Sequence, residues 1–207
     1  SYQKPQRRYI EVNKRDDKKW QAEDLPRILK FVDGKRGVLY YQDEASISMQ
    51  PFVGKTWGVK GARTTVATTS KRGSIPAISA ISPTGHLLFS LPKEKVNSET
   101  IINFLKQILS HHKTRHVVVI MDSASHHTSK KIKSFIAGQD RLTIFHLPAY
   151  CPFLNPDEFV WRHLKHSKLK AHKADNLIAL RKITTNFLRS MSRDKKLLKS
   201  FFYAIKG

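Results

Sequence analysis

Cysteine is all but absent. Cys151 is the only one in the chain, which excludes an internal disulfide and any cysteine-built zinc site and fits a reducing cytoplasm. No apolar run approaches the roughly 18 residues needed to cross a bilayer, and no lipidation motif occurs, so a membrane partner is not expected. The first residues lack a basic stretch followed by an apolar one and a small-residue cleavage site, so nothing argues for secretion. Gly and Pro number only nine each, too few for a fibrous or low-complexity chain. Acidic residues are scarce as well, with 16 Asp plus Glu against 38 Lys plus Arg, a formal net charge of +22. Self-repulsion on that scale implies a polyanionic partner, and nucleic acid is the first candidate. A length of 207 residues suits one domain with a real core plus an arm and would cramp two.

What is present reads as mixed α/β. Residues 1–17 are polar and basic without sustained periodicity, as in a linker or an arm lying on a partner. From Lys18 to Val32 the apolar residues recur at helical spacing, with Pro26 expected to start or kink the helix and Asp33-Gly34 to end it. The β-prone run GVLYYQ at 37–42 ends on the acidic pair Asp43-Glu44. Strand-length segments follow at 64–69, 75–81 and 86–91, the last two joined by the turn residues Pro83-Thr84-Gly85, which predicts an antiparallel meander. A helix is expected after the cap residues Asn97-Ser98, a doubly buried strand at HVVVIM (116–121) ending on Asp122, a short helix at 129–137 and a strand at 142–146. In the segment LPAYCPFLNPDEFVW (147–161), Asn155 is read as an N-cap and Pro156 as the first helical residue, which puts Glu158 in the first turn. Two more helices are expected at 175–191 and 194–205, with Leu177, Leu180, Ile183, Phe187 and Leu188 on the apolar stripe of the first. From Phe159 to Gly207 there are 13 Lys or Arg and two Asp, a net +11, so these helices offer a face to phosphates.

Two strands and one helix start thus deliver carboxylates. Phosphodiester cleavage with two metal ions needs hard oxygen ligands that hold the ions roughly 3.5–4 Å apart, and Asp43, Asp122 and Glu158 could converge at one sheet edge to do so. Each also has a bland reading. Asp commonly ends strands as a turn residue, and Asn155-x-x-Glu158 matches a capping box. Asp157 competes with Glu158, since neighbours on a helix point about 100° apart and spacing does not choose between them.

The strand-terminal DE at 43–44, the Trp57-Gly58 and Lys60-Gly61 turn, MDSASHH at 121–127 and LPAYCPFLNPDEFVW together resemble the DDE transposases of the mariner superfamily, in its bacterial insertion-sequence branch. The resemblance covers nearly the whole chain. It implies an RNase H-like mixed five-stranded sheet flanked by helices. It also implies Asp43, Asp122 and Glu158 as catalytic metal ligands, with Glu158 preferred over Asp157, for two Mg²⁺ ions that Mn²⁺ can replace. The implied activity is cleavage at transposon ends and transfer of the freed 3′ end into target DNA at a TA dinucleotide, by a homodimer in the bacterial cytoplasm. Family members carry an N-terminal end-recognising region, so residues 1–35 are expected to be a basic linker and helix following such a region and 36–207 the catalytic domain. Between Asp122 and Glu158 stand residues 123–157, one more than is common in the family. Ser123 replaces the Asn usual after the second aspartate.

Around these acids, Ser123, His127 and Asp157 are candidates for supporting the metals or touching DNA, and Lys60 and Arg63, with Lys71 and Arg72, for following the DNA backbone. His127 could alternatively cap or pack. Trp57 and Tyr150 could stack on exposed bases, whereas Trp161, beside Val160 and Leu164 on a helix, is read as core. Two other readings stay open: another RNase H-like nuclease such as a resolvase, which would not join strands, and a domesticated DNA-binding module that no longer uses metal.

Overall fold

The computed structural model describes residues 14–53, 57, 59–61, 65–67, 69–125 and 127–203. Residues 1–13 of the arm expected at 1–17, and Arg63, lie outside them, while residues 14–17 of that arm are helical. The chain enters in helix α1 (Lys14–Lys19), passes through a π-helical turn (Trp20–Asp24) and continues as α2 (Leu25–Gly34). Helix is therefore already present at Lys14, four residues before the periodicity predicts. Pro26, which has no N–H to donate, sits in the first turn of α2 just past the wider turn, where Leu25 N–H reaches back to Trp20 O. Trp20 and Ile28 are buried and join the core.

Five strands follow: β1 (Val38–Ser48), β2 (Ser74–Ile81), β3 (Leu87–Ser90), β4 (Val117–Met121) and β5 (Leu142–His146). Their order is β3-β2-β1-β4-β5, antiparallel within β1-β2-β3 and parallel across β1-β4-β5. The meander is as the sequence predicts, except that the described residues among 64–69 form no strand. The β2–β3 turn closes through Gly85 N–H to Ser82 O (2.9 Å) and Ser82 N–H to His86 O (2.8 Å), with Gly85 at φ +82°. Only a residue without Cβ takes that conformation cheaply.

Helix α3 (Ser98–His111) starts at a capping box between Asn97 and Thr100, and α4 (Lys130–Ala137) at Ser129. Both cover one face of the sheet, against Tyr40, Ile78, Val117, Val119 and Met121. The other face receives α5 (Asp157–His163), the π-helical turn Leu164–Lys168, α6 (Leu177–Arg193) and α7 (Lys195–Tyr203), against Leu39, Tyr41, Val118 and Ile120. The apolar run of β4 is therefore what a strand covered on both sides requires, every residue of it buried. On α6, Leu180 and Leu188 are fully buried, while Leu177 is 43% exposed. As the first residue of its helix it leans over Gly73 at the sheet edge instead of joining the stripe. Among the described residues no helix is long and apolar enough to cross a membrane.

Candidate active site

Asp43 does not end its strand, as the sequence suggests, but lies within it. β1 stays paired with β2 as far as Ser48, opposite Ser74, with Asp43 opposite Ser79, whereas it pairs with β4 only from Val38 to Tyr41. The ladder on that side stops because β4 itself ends at Met121, one residue before Asp122. The sheet opens there, and both aspartates stand at the opening.

The backbone carbonyl that the split leaves at Gln42 is taken by the Asn155 side chain, whose Nδ2 donates to it at 3.1 Å. Asn155 Oδ1 in turn accepts the Asp157 N–H at 3.1 Å. A buried carbonyl without such a donor would cost about 1–3 kcal/mol, so one amide both satisfies β1 and pins the start of α5 to it. No capping box forms: the Asn155 N–H donates to Pro152 O and the Glu158 N–H to Asn155 O. Glu158 instead faces a cavity of about 470 Å³ lined also by Asp43, Asp122, Ser123 and Tyr150. Among the described residues no three His, Cys, Asp or Glu are already closed into a metal-ligand shell. The three acids share a cleft.

Their electrostatics follow from that sharing. Burial pushes the Asp43 carboxyl well above its usual range, and the negative charges of Glu158, Glu44 and Asp122 push it further, against one backbone hydrogen bond. Burial also raises Glu158, with Asp122 adding to the rise and Lys165 opposing it. Carboxylates that destabilise one another in a small cleft are what a bound cation relieves. Asp122 behaves differently, being held low chiefly by a hydrogen bond from His127 despite partial burial.

His127 is 2% exposed and does not reach the surface. Its Nδ1 lies 2.7 Å from Asp122 Oδ1 and its Nε2 2.6 Å from Glu44 Oε1. Burial disfavours its positive charge, but the hydrogen bonds and charges of the two carboxylates outweigh that and raise its pKa to about 10. The ring is therefore an imidazolium that donates from both nitrogens. These contacts hold it behind Asp122.

The two neighbouring acids of α5 part company. Asp157 is fully buried, accepts a 2.6 Å hydrogen bond from Ser79 Oγ and is pushed well above its usual range by burial and then by Asp43. Glu158 lines the cleft. Ser123 lines it too, its hydroxyl 3.4 Å from Leu147 O. Tyr150, 56% exposed at φ +59°, stands at the rim, and Trp161 is core. Trp57 and Lys60 are exposed on the β1–β2 connection. Glu44 is the participant that sequence reasoning passed over. It counted there only as half of an acidic pair, and its partner His127 is 83 residues away.

Residues 38–181 match the profile of the DDE superfamily endonucleases. The insertion element IS630 uncharacterized 39 kDa protein of Shigella sonnei is 21% identical over 155 residues, 74% of this chain and 45% of that protein. The chain thus spans less than half the length of that relative. Among solved structures, the Mos1 transposase paired-end complex with left transposon end aligns at TM-score 0.70 and 18% identity, over all of this chain and 63% of that one. The catalytic domain of Mos1 mariner transposase aligns at TM-score 0.60 and 16% identity, over 95% and 89%. At such identities the structural likeness is one of fold, and the fold is the RNase H-like sheet that the resemblance implied. Since the profile runs through the strands and the helix start that bring Asp43, Asp122 and Glu158 to one cleft, and covers more than two thirds of the chain, this protein belongs to the DDE superfamily of endonucleases.

Proposed function

We propose that this chain is the catalytic domain of a transposase, which cuts DNA at the ends of its element and joins the freed 3′ ends to target DNA. The observation that carries the reading is the convergence of Asp43, Asp122 and Glu158 on one cleft at the point where β1 and β4 part. Three mutually repelling carboxylates are an all-oxygen donor set suited to Mg²⁺ or Mn²⁺, and these residues would hold two such ions. Bound there, the ions supply Lewis-acid charge for activating a nucleophile and stabilising the leaving oxygen. The similar fold of the Mos1 mariner paired-end complexes with Mg and with Mn, and of the Mos1 strand transfer complex, supports the choice of metal and of reaction.

The chain's own residues supply the rest. Asn155 holds the start of α5 against β1 and so places Glu158. His127 keeps Asp122 ionised and oriented. The strong positive charge, concentrated from Phe159 onward, neutralises DNA phosphates. Two copies acting on a pair of ends, and a TA target, belong to the same reading.

The test is cleavage and joining of a duplex carrying the terminal repeats of the protein's own element, in Mg²⁺ or Mn²⁺, with the parent and with Glu158→Gln. Metal-dependent joined product from the parent alone is expected. Cleavage that survives Glu158→Gln, or that needs no divalent ion, overturns the mechanism. Cleavage without joining would make the chain a nuclease of the resolvase kind.

A further inference from the structure

Asp122 offers its two carboxylate oxygens to different surroundings. Oδ1 accepts two hydrogen bonds, from His127 Nδ1 at 2.7 Å and from the Ala124 N–H at 2.9 Å. The side chain is otherwise 55% exposed and lines the cleft. His127 cannot swing, because its far nitrogen is held by Glu44 Oε1 at 2.6 Å and its ring is buried. Glu44 is itself fixed. The same Oε1 accepts a 2.6 Å hydrogen bond from Gln42 Nε2, two residues earlier on the same strand, and the side chain is only 16% exposed. Since residues alternate across a strand, Glu44 points to the face opposite Asp43 and reaches Asp122 from behind the sheet. Gln42, Glu44 and His127 thus form a chain of contacts that begins on β1 and ends on the acid just past β4.

We propose that Glu44 is a positioning residue for metal binding: through His127 it locks the rotation of the Asp122 carboxylate, turning Oδ1 inward and leaving Oδ2 as the oxygen offered to the ion. This rests on the reading of Asp122 as a metal ligand. The arrangement extends a familiar principle, in which the partners of a ligating side chain set its orientation and are worth about 10–100-fold in metal affinity. Here the ligand is a carboxylate, its support a histidine, and the support's own anchor a second carboxylate. Two acids adjacent in sequence, Asp43 and Glu44, then serve one cleft from opposite faces of one strand, the first by facing it and the second by holding its neighbour.

The experiment is a Mn²⁺ titration of the whole chain, with free Mn²⁺ read by electron paramagnetic resonance, on the parent, Glu44→Ala, Glu44→Gln and Asp122→Asn, each checked for a cooperative thermal melt. Glu44→Ala is expected to weaken Mn²⁺ about 10–100-fold. Glu44→Gln keeps an acceptor oxygen at the same reach and recovers most of that loss. Should Glu44→Ala not melt cooperatively, Glu44→Asp, one methylene too short to hold His127 in place, carries the same expectation. Unchanged Mn²⁺ affinity in a folded Glu44→Ala or Glu44→Asp chain overturns the proposal and reduces Glu44 to a structural residue. If Asp122→Asn is also unchanged, the assignment of Asp122 as a ligand falls with it.

Discussion

Asp157→Asn separates the two adjacent acids of α5 by their ionisation. Asp157 is fully buried, with Ser79 Oγ donating to one carboxylate oxygen and no described group reaching the other. Burial, and then the charge of Asp43, raise its pKa well above 3.8, so folding favours the protonated form. The sign follows by linkage. The contribution to stability is complete below 3.8, the ordinary value, and is lost as pH climbs from there toward the folded-state pKa, at up to ~1.4 kcal/mol per pH unit. Asn cannot ionise and lacks that slope. In a chain of this size ~1 kcal/mol corresponds to about 2–4 °C, so the Tm of the variant should gain about 3–6 °C on the parent for each unit of rising pH within that window. Circular-dichroism melts at a series of mildly acidic to neutral pH values measure this. Cleavage and joining should stay within about tenfold of the parent, ~1.4 kcal/mol in barrier, while Glu158→Gln abolishes both. Parallel pH profiles for parent and variant would refute the reasoning, since Asp157 would then be ionised in the fold and available to a cation.

Asn155→Ala removes the tether between β1 and α5 and leaves the Gln42 carbonyl and the Asp157 N–H without their partners. At ~1–3 kcal/mol for each of the two orphaned groups, urea unfolding should show a loss of about 2–6 kcal/mol, and cleavage should fall with it because Glu158 is no longer placed. Stability lost with full cleavage retained would show that the tether does not position Glu158. Gly85→Ala asks for φ +82° from a residue with a Cβ and sets that Cβ 2.9 Å from Lys195 O. Backbone strain alone costs about 1–3 kcal/mol, so the melt should drop by several degrees, and an unchanged Tm would contradict the packing of the β2–β3 turn on α7.

Much of this fold could be read from local pattern. VVVIM is apolar at every position because β4 is covered on both faces, and Asp122 is the first residue past it. Asn97 and Ser129 announce α3 and α4 because capping chemistry is local. Failures arise where a distant partner decides. The second half of β1 carries Gln42, Glu44 and Ser46 on alternate positions, and no propensity marks such a polar stretch as strand. Pairing with β2 as far as Ser74 holds it extended. Likewise Asp157 and Glu158 are indistinguishable by spacing. What separates them is Ser79, 78 residues away in sequence, which gives Asp157 a buried partner and leaves Glu158 to the cleft. The role of Glu44 was hidden for the same reason, since its partner lies on another strand's loop.

Helix α5 rests on α7, where the rings of Phe159 and Phe201 stack at 6.2 Å. A ribosome therefore releases the two aspartates first, the glutamate later, and the support under that glutamate later still. A nascent chain paused after β5 has all five strands and two acids, yet nothing to complete the cleft. Order of synthesis thus sets the order of assembly: the third acid joins the cleft only when α5 has been made, and its packing partner in α7 comes last.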